Sequence, residues 1–256
     1  MKRITLTLLF AVTAASLTLA QSRVKAEDII AQINRGEAVE HRDVTIDGTL
    51  DLTNLDNRAL EKSSGSRGDN SNDVYASHVT ASLSFVDCTF ADDVIAYYHE
   101  DNEDNTYAAH FDENVQFDNC TFRDASEFKY SEFSREASFS GTTFQEEANF
   151  KYAEFAEAPV FNQATFEDDA NFKYAEFPKN TSFASVVFEE EANFKYADFP
   201  AGASFANATF NDLANFKYSK FSEPLNMDDV AFNGDEDFKY TEINGKDFTT
   251  YLLKNN

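Results

Sequence analysis

The sequence predicts an all-β solenoid, in which short segments wind into four-sided coils with a period of 22. The first observation is a repeated octapeptide, which reads ANFKYAEF at 148–155 and 170–177, ANFKYADF at 192–199 and ANFKYSKF at 214–221. The second is a large apolar residue that recurs from Phe117 to Phe238 at alternating steps of five and six residues. The third is the small or modest residue, most often Ala, that lies two positions before most of these large residues.

Neither ordinary period accounts for these steps. A helix rotates by about 100° per residue, so steps of five and six would put consecutive Phe side chains on two separate stripes. A straight strand has period two, so alternating odd and even steps would move Phe from one face to the other. A chain that turns a corner after each short segment can point a small residue and a Phe inward on every side. One coil then buries its rings only when another coil stacks on it, at about 4.8 Å.

The recurring A-N-F and A-E-F triplets resemble the repeats of the pentapeptide-repeat family, strongly over 115–240 and loosely over 44–90. The resemblance implies a right-handed quadrilateral parallel β-helix with a stacked central Leu or Phe, here with short helical caps. Two departures from the family pattern are present. Phe replaces the more usual Leu, and alternate sides have six residues, so each coil is two residues longer than four pentapeptides. We expect wider corners as a result.

Residues 1–20 predict a secretory signal peptide. Lys2 and Arg3 precede an uncharged apolar stretch, and Thr18 and Ala20 are small residues at the third-last and last positions before Gln21. We therefore expect export to the periplasm, the cell surface or the extracellular space. After cleavage of 1–20, no stable membrane span is expected.

The rest of the chain divides into a solenoid and two caps. Residues 21–43 are predicted to form an N-terminal helical cap, because Ile29, Ile30 and Ile33 share one helical face before Gly36. The solenoid is predicted at 44–240, with a flexible Gly/Ser-rich loop at 57–77 and an acidic insertion at 91–114. Residues 241–256 are predicted to form a C-terminal cap that covers the last coil. The apolar residues of that cap offer a second interpretation, in which they join two copies in a homodimer: Phe248, Tyr251, Leu252 and Leu253.

Composition restricts the partners. The formal net charge is −25, from 21 basic and 46 acidic residues, and 27 of the 256 residues are Phe. The aromatic content argues against a disordered acidic chain and favours a folded body with a negative exterior. Such an exterior repels nucleic acid and anionic membrane surfaces, and it favours cationic partners. We expect an unidentified protein or a component of the cell envelope as the partner, and no nucleic acid.

Two cysteines occupy equivalent inward positions. Cys88 and Cys120 each lie two residues before a Phe, and their separation along the chain is one coil plus ten positions. If those ten positions bulge outward, the two sulfurs stack on adjacent coils, at a Cα separation of about 4.8 Å that permits a disulfide. A disulfide is one expectation in an oxidising compartment, and two reduced core thiols are the alternative.

The acidic insertion offers metal ligands without an established spacing. It contains His99 and His110 among several carboxylates, which suit Ca²⁺ or a transition metal. Acidic loops are more often simply solvated, so we expect no metal and no cofactor.

The residues that follow Phe create outward columns. Lys129 and Tyr130 begin two of them, and both residue types recur once per coil. Stacked Tyr rings that stiffen one corner are the simplest interpretation, and a binding face for sugar rings or a protein partner is the alternative. The candidate binding face consists of Tyr130, Tyr152, Tyr174, Tyr196, Tyr218 and Tyr240.

The sequence carries no Gly-rich phosphate loop, HExxH, CxxC or nucleophile elbow, so we expect no enzyme and no catalytic residues. It favours an exported scaffold or protein-binding module. Carbohydrate or metal-ion binding through the Tyr and acidic ladders is one alternative. The family resemblance adds another, an acidic mimic of duplex DNA that inhibits type II topoisomerases, which the predicted signal peptide disfavours.

Overall fold

The computed structural model describes residues 21–62, 73–99 and 105–248. These residues wind into a four-sided β-helix, in which the strand on each side pairs in parallel with the same side of the next coil. The registers Thr143↔Thr165 and Ala148↔Ala170 show that one coil corresponds to one period of the sequence repeat. The predicted all-β solenoid is therefore confirmed.

Each face of the β-helix is named here by its outward residues. The threonine face contains Ser22–Lys25, Val44–Asp47, Thr89–Phe90, Thr121–Phe122, Thr143–Phe144, Thr165–Phe166, Val187–Phe188, Thr209–Phe210 and Ala231–Phe232. The asparagine face contains Leu50–Asp51, Val94–Ile95, Ser126–Glu127, Ala148–Asn149, Ala170–Asn171, Ala192–Asn193, Ala214–Asn215 and Glu236–Asp237.

The other two faces complete each coil. The acidic face contains Ala59–Lys62, Val74–Val79, Tyr97–His99, Thr106–Phe111, Glu132–Phe133, Glu154–Phe155, Asp198–Phe199, Lys220–Phe221, Glu242–Ile243 and Lys246–Asp247, with Glu176 bridging two of its strands. The serine face contains Val39–Arg42, Leu83–Val86, Val115–Asp118, Ala137–Ser138, Thr181–Ser182, Ala203–Ser204 and Leu225–Asn226, with Val160 as a single bridging residue.

Phenylalanine rings fill the interior. Phe172 is fully buried and stacks on Phe150 at 5.1 Å and on Phe194 at 4.9 Å, with interplanar angles of 4° in both cases. It also meets Phe161 and Phe183 edge to face, at 5.3 and 5.4 Å. Each ring therefore gains stacked contacts along the axis and edge contacts across it, and each such pair adds about 0.5–1.5 kcal/mol to the burial of apolar area.

The N-terminal end differs in part from its prediction. Helix α1 spans Ala26–Asn34 and buries Ala26, Ile29 and Ile33 against the first coil. The segment predicted to be a helical cap also contains two coil strands, however. Ser22–Lys25 pairs in parallel with Val44–Asp47, and Val39–Arg42 pairs with Leu83–Val86, so the solenoid begins at Ser22 instead of residue 44.

Two hairpins extend the acidic face into a projection that we call the wing. Ala59–Lys62 pairs antiparallel with Val74–Val79, and Tyr97–His99 pairs antiparallel with Thr106–Phe111. The two longer strands then pair in parallel over six residues. The prediction of a flexible loop at 57–77 is therefore wrong at both ends, where backbone pairing forms strands, and residues 63–72 lie outside the described part. In the acidic insertion, 100–104 lie outside it as well.

The C-terminal end adds a hairpin to the last coil. Glu242–Ile243 continues the acidic face past residue 240 and turns back to pair with Lys246–Asp247. Phe248 is buried and stacks on Phe238 at 4.7 Å. The remainder of the predicted cap, with Tyr251, Leu252 and Leu253, lies outside the described residues, as does the predicted signal peptide at 1–20. The homodimer stays a prediction.

In the described residues no helix is both long and apolar enough to cross a membrane.

The interior stack gives a direct stability test. Phe172→Ala should lower the free energy of unfolding by about 3–5 kcal/mol, because it leaves a cavity between six ring neighbours that cannot collapse without breaking strand pairing. Urea unfolding followed by circular dichroism measures this change. Phe232→Ala, at a ring that is only partly buried in the last coil, should lower it less. A loss below about 1 kcal/mol for Phe172→Ala would contradict the continuous stack.

Candidate binding groove

One corner of the solenoid carries the tyrosine ladder, which we define as the column of Tyr residues from Tyr130 to Tyr240. Adjacent rings between Tyr130 and Tyr218 lie 4.7–4.8 Å apart and within 3° of parallel. The last pair, Tyr218 and Tyr240, lies at 4.8 Å and 17°. The structure thus brings together all six residues of the candidate face: Tyr130, Tyr152, Tyr174, Tyr196, Tyr218 and Tyr240. Their ring faces cover one another, so the ladder presents mainly ring edges and hydroxyl groups to solvent.

The ladder tyrosines adopt a backbone conformation that tyrosine disfavours. Their φ angles lie between 57° and 63°, in the left-handed region. At Tyr152 the tight turn is closed by the Ala153 amide, which donates to the Phe150 carbonyl at 3.0 Å. A bulky residue in this region is an outlier, with a cost of about 1–3 kcal/mol.

The diagonally opposite corner makes the same turn with different residues. Its left-handed positions are occupied by Asp43, Asp87, Asn119, Gly141, Gln163, Ser185, Asn207 and Asp229. Gly, Asn and Asp tolerate this conformation, whereas Tyr does not. The backbone conformation therefore does not explain why Tyr occupies the first corner. The explanation must lie in what the Tyr side chain contacts.

A row of lysines lies beside the ladder. The Nζ atoms of the Lys residues that precede each Tyr lie 5.0–5.7 Å from the centroid of that Tyr ring, within reach of cation–π attraction. Lys129 also donates to the Tyr97 hydroxyl at 2.9 Å. Partial burial lowers the pKa of Lys151, and the charges of Lys129 and Lys173 lower it further. The rings thus hold the ammonium groups in place against their mutual repulsion.

On the other side of the ladder, carboxylates stack in register. The acidic row consists of Glu132, Glu154, Glu176 and Asp198, each paired with the next across adjacent coils, and Lys220 follows them. Partial burial raises the pKa of Glu154, and the neighbouring charges of Glu132 and Glu176 raise it further. Like charges at this spacing repel by about 1 kcal/mol in a water-like dielectric. A bound cation would relieve this repulsion.

The ladder and the acidic row are the two walls of a surface depression, which we call the acidic groove. Over three coils it forms a cavity of about 340 Å³ lined by Tyr152, Tyr174, Glu176, Tyr196, Asp198, Tyr218 and Lys220. At the wing it deepens into a second cavity of about 360 Å³, where Glu61, Val74, Thr106, Ala108 and His110 of the wing face Tyr130, Glu132, Tyr152 and Glu154 of the coils. The groove is therefore closed at one end and runs along the axis.

The closed end gathers one imidazole and two carboxylates. Glu61, His110 and Glu132 each have a ligand-type atom within 4.8 Å of those of the other two. His110 is only 5% exposed, its Nε2 lies 3.5 Å from Glu61 Oε2, and its Nδ1 accepts the Glu132 amide at 3.1 Å. His99, the other histidine of the acidic insertion, lines a different cavity and lies 3.3 Å from the Thr106 hydroxyl.

Sequence reasoning named His110 here but missed its two neighbours. Glu61 lies in the segment predicted to be a loop, and Glu132 belongs to a column that repeats an acid in most coils. The available signal was the K-Y-x-E-F spacing, which places an acid two residues after each of Tyr130, Tyr152 and Tyr174.

The two cysteines stack on adjacent coils as free, buried thiols. Thr89 and Thr121, which follow them, are direct register partners, so the ten extra residues between the cysteines do project outward, in the wing. The hydrogen bond with Cys88 and burial both raise the pKa of the Cys120 thiol. The two sulfurs are not bonded to each other in the structure, and the disulfide in an oxidising compartment stays a prediction.

Comparison with known proteins identifies the repeat. A family model described as pentapeptide repeats (9 copies) matches residues 107–154, 128–176 and 172–220. No curated protein and no solved structure matches the chain.

Glycine substitutions at the two tight corners test what the tyrosine rings contribute. Ser185→Gly should raise the free energy of unfolding by up to about 1 kcal/mol, because glycine adopts the left-handed conformation without strain. Tyr174→Gly relieves the same strain but removes two ring stacks. Its free energy of unfolding should therefore lie about 1–3 kcal/mol below that of Ser185→Gly in urea titrations. Equal stabilities would mean that ring stacking contributes nothing.

Proposed function

Because residues 107–220 belong to the pentapeptide-repeat family, we propose that the chain is a non-enzymatic, exported solenoid that acts as a scaffold and protein-binding module. Its acidic groove binds a basic, extended segment of a partner protein.

The observation that carries the proposal is the in-register acidic row beside the tyrosine ladder. Glu132, Glu154 and Glu176 face one another at successive coils, and the pKa of Glu154 is raised by partial burial and further by the charges of Glu132 and Glu176. Cationic side chains laid along the groove neutralise these charges, while the Tyr hydroxyls and ring edges contact the partner's backbone and methylene groups. The net charge of −25 adds long-range attraction for a basic partner.

Two alternatives have less support. Sugars bind aromatic residues through exposed ring faces, and the ladder uses those faces for its own stacking at 4.7–4.8 Å. Mimicry of duplex DNA requires a protein that meets a topoisomerase, and the predicted signal peptide directs the chain away from it.

A charge-neutralising variant tests the groove. Glu154→Gln, Glu176→Gln and Asp198→Asn together should weaken binding of a fluorescein-labelled peptide of alternating lysine and serine by about tenfold or more, because three cation–carboxylate contacts are lost. Fluorescence anisotropy measures the dissociation constant.

A matched variant controls for net charge. Glu146→Gln, Asp168→Asn and Glu190→Gln remove the same residue types from the same coils at the corner between the threonine and asparagine faces. This variant should bind within about twofold of the original chain. Equal weakening by both variants, or no binding of the peptide at all, would contradict a defined groove.

Export has its own measurement. We expect intact-mass analysis of the protein expressed with its own predicted signal peptide to give a chain that starts at Gln21, recovered outside the cytoplasm. A cytoplasmic chain that retains Met1 or Lys2 would remove export from the proposal and restore the hypothesis of a topoisomerase inhibitor.

A further inference from the structure

The closed end of the acidic groove contains a buried polar atom whose bonding is incomplete. His110 Nε2 has no hydrogen-bond partner among the described residues, although its side chain is only 6% exposed. The atom lies 3.5 Å from Glu61 Oε2, and the Glu132 carboxylate belongs to the same cluster. A buried polar atom without a partner is rare in folded proteins, and this one lines a cavity, so it calls for an explanation.

The hydrogen bond to Nδ1, on the other side of the His110 ring, determines whether Nε2 is a donor or an acceptor. The Glu132 backbone N–H can only donate, and it donates to His110 Nδ1. A neutral imidazole has one donor and one acceptor nitrogen, so the ring proton lies on Nε2. Nε2 is therefore a donor that points into the cavity.

This tautomer does not suit a metal ion. A histidine that binds a metal through one nitrogen normally donates the N–H of the other to an acceptor. In His110 the other nitrogen faces an amide donor instead, so metal binding at Nε2 would require loss of the Glu132 amide bond. The three residues thus resemble a metal site in composition but not in hydrogen bonding.

The cavity combines carboxylates, one N–H donor and aromatic walls, which together suit a ligand with a cationic group, an acceptor oxygen and a methylene chain. The carboxylates of Glu61, Glu132 and Glu154 attract a cation, and the Nε2–H of His110 offers a hydrogen bond to an acceptor. The Tyr130 and Tyr152 side chains supply aromatic wall for a methylene chain. The volume of about 360 Å³ accommodates one long side chain with its own backbone unit.

We propose that this cavity is the anchor pocket for a single lysine or arginine residue of the partner. Its cationic group binds the carboxylates of Glu61 and Glu132, and a backbone carbonyl of the same segment accepts the His110 Nε2–H. The inference rests on the proposed function, because it names the chemistry of the partner at one end of the same groove. The wing supplies Glu61, so the pocket exists only where the two hairpins stand beside the tyrosine ladder.

His110→Asn separates the donor from the rest of the site. The asparagine Oδ1 can occupy the position of Nδ1 and accept the Glu132 amide, whereas the Nε2–H is removed. We expect His110→Asn to weaken binding of the lysine–serine peptide by about tenfold. It should leave binding of spermine, which has ammonium groups but no carbonyl oxygen, within about twofold. Glu61→Gln should weaken both ligands, and His99→Asn, the matched control, should change neither.

The outcomes separate the pocket from the groove. If the peptide binds and loses affinity in the Glu154, Glu176 and Asp198 variant, but His110→Asn and Glu61→Gln leave it unchanged, the anchor pocket is wrong and the groove stands. If the peptide does not bind the original chain, the proposed function fails and the pocket fails with it. Equal losses for peptide and spermine in His110→Asn would overturn the carbonyl contact.

Two measurements on the original chain hold even if His110→Asn does not fold. Nitrogen-15 NMR of the His110 ring should show the proton on Nε2, and that signal should shift when the peptide is added. A proton on Nδ1 would overturn the assignment. One-to-one zinc binding that protects His110 from the peptide would do so as well, since it would identify a metal site.

Discussion

The stacking of Phe rings at the spacing of adjacent strands determines the rest of the molecule. Hydrogen-bonded strands lie about 4.8 Å apart, and parallel rings pack favourably at nearly the same distance. Phe172 and Phe194 stack at 4.9 Å, and Phe177 and Phe199 at 4.6 Å. The backbone and the core therefore require the same in-register repeat. Once this register is set, every outward position must recur one strand spacing further along the axis, so a residue type repeated in the sequence becomes a straight column on the surface.

The two left-handed corners of each coil make the same backbone turn but carry different side chains. Tyr152 and Gln163 are half a coil apart, and each is the left-handed residue of a tight turn, with φ of 59° and 60°. The backbone thus makes the same tight turn twice in each coil. At the corner of Gln163 the residues vary and several suit the conformation, whereas at the corner of Tyr152 the residue does not vary and does not suit it. A strained position filled repeatedly by the same ring indicates that the ring is needed, and this points to the groove wall it forms.

Much of the fold and part of the site follow from counting residues. The inward place of Phe172, the ladder place of Tyr174 and the stacking of Cys88 over Cys120 all derive from a period that strand pairing preserves. The wing could not be predicted in this way, because its hairpins lie in insertions whose sequences do not follow the repeat. Ser22–Lys25 was missed for a similar reason, since four residues before a helix have too short a pattern to indicate a parallel partner. Only the folded structure distinguishes Glu61 and Glu132 from the other acidic residues, because it brings both of them close to the buried His110.

Like charges that repeat along a surface repel one another and destabilise the folded chain. Glu154 and Glu176 each have a carboxylate neighbour above and below, and the pKa of Glu154 is raised by partial burial and further by the charges of Glu132 and Glu176. In a solenoid each coil contacts only its neighbours, so stability is close to a sum of terms for single coils and their interfaces. A basic segment that spans several coils acts on several of these terms at once, because it replaces repulsion between carboxylates with attraction to a shared partner. Any ligand that binds only the folded chain stabilises it, and here the stabilisation would be concentrated in the coils that the groove crosses. The loss of carboxylate repulsion on binding therefore contributes both to affinity for the partner and to the resistance of these coils to local opening.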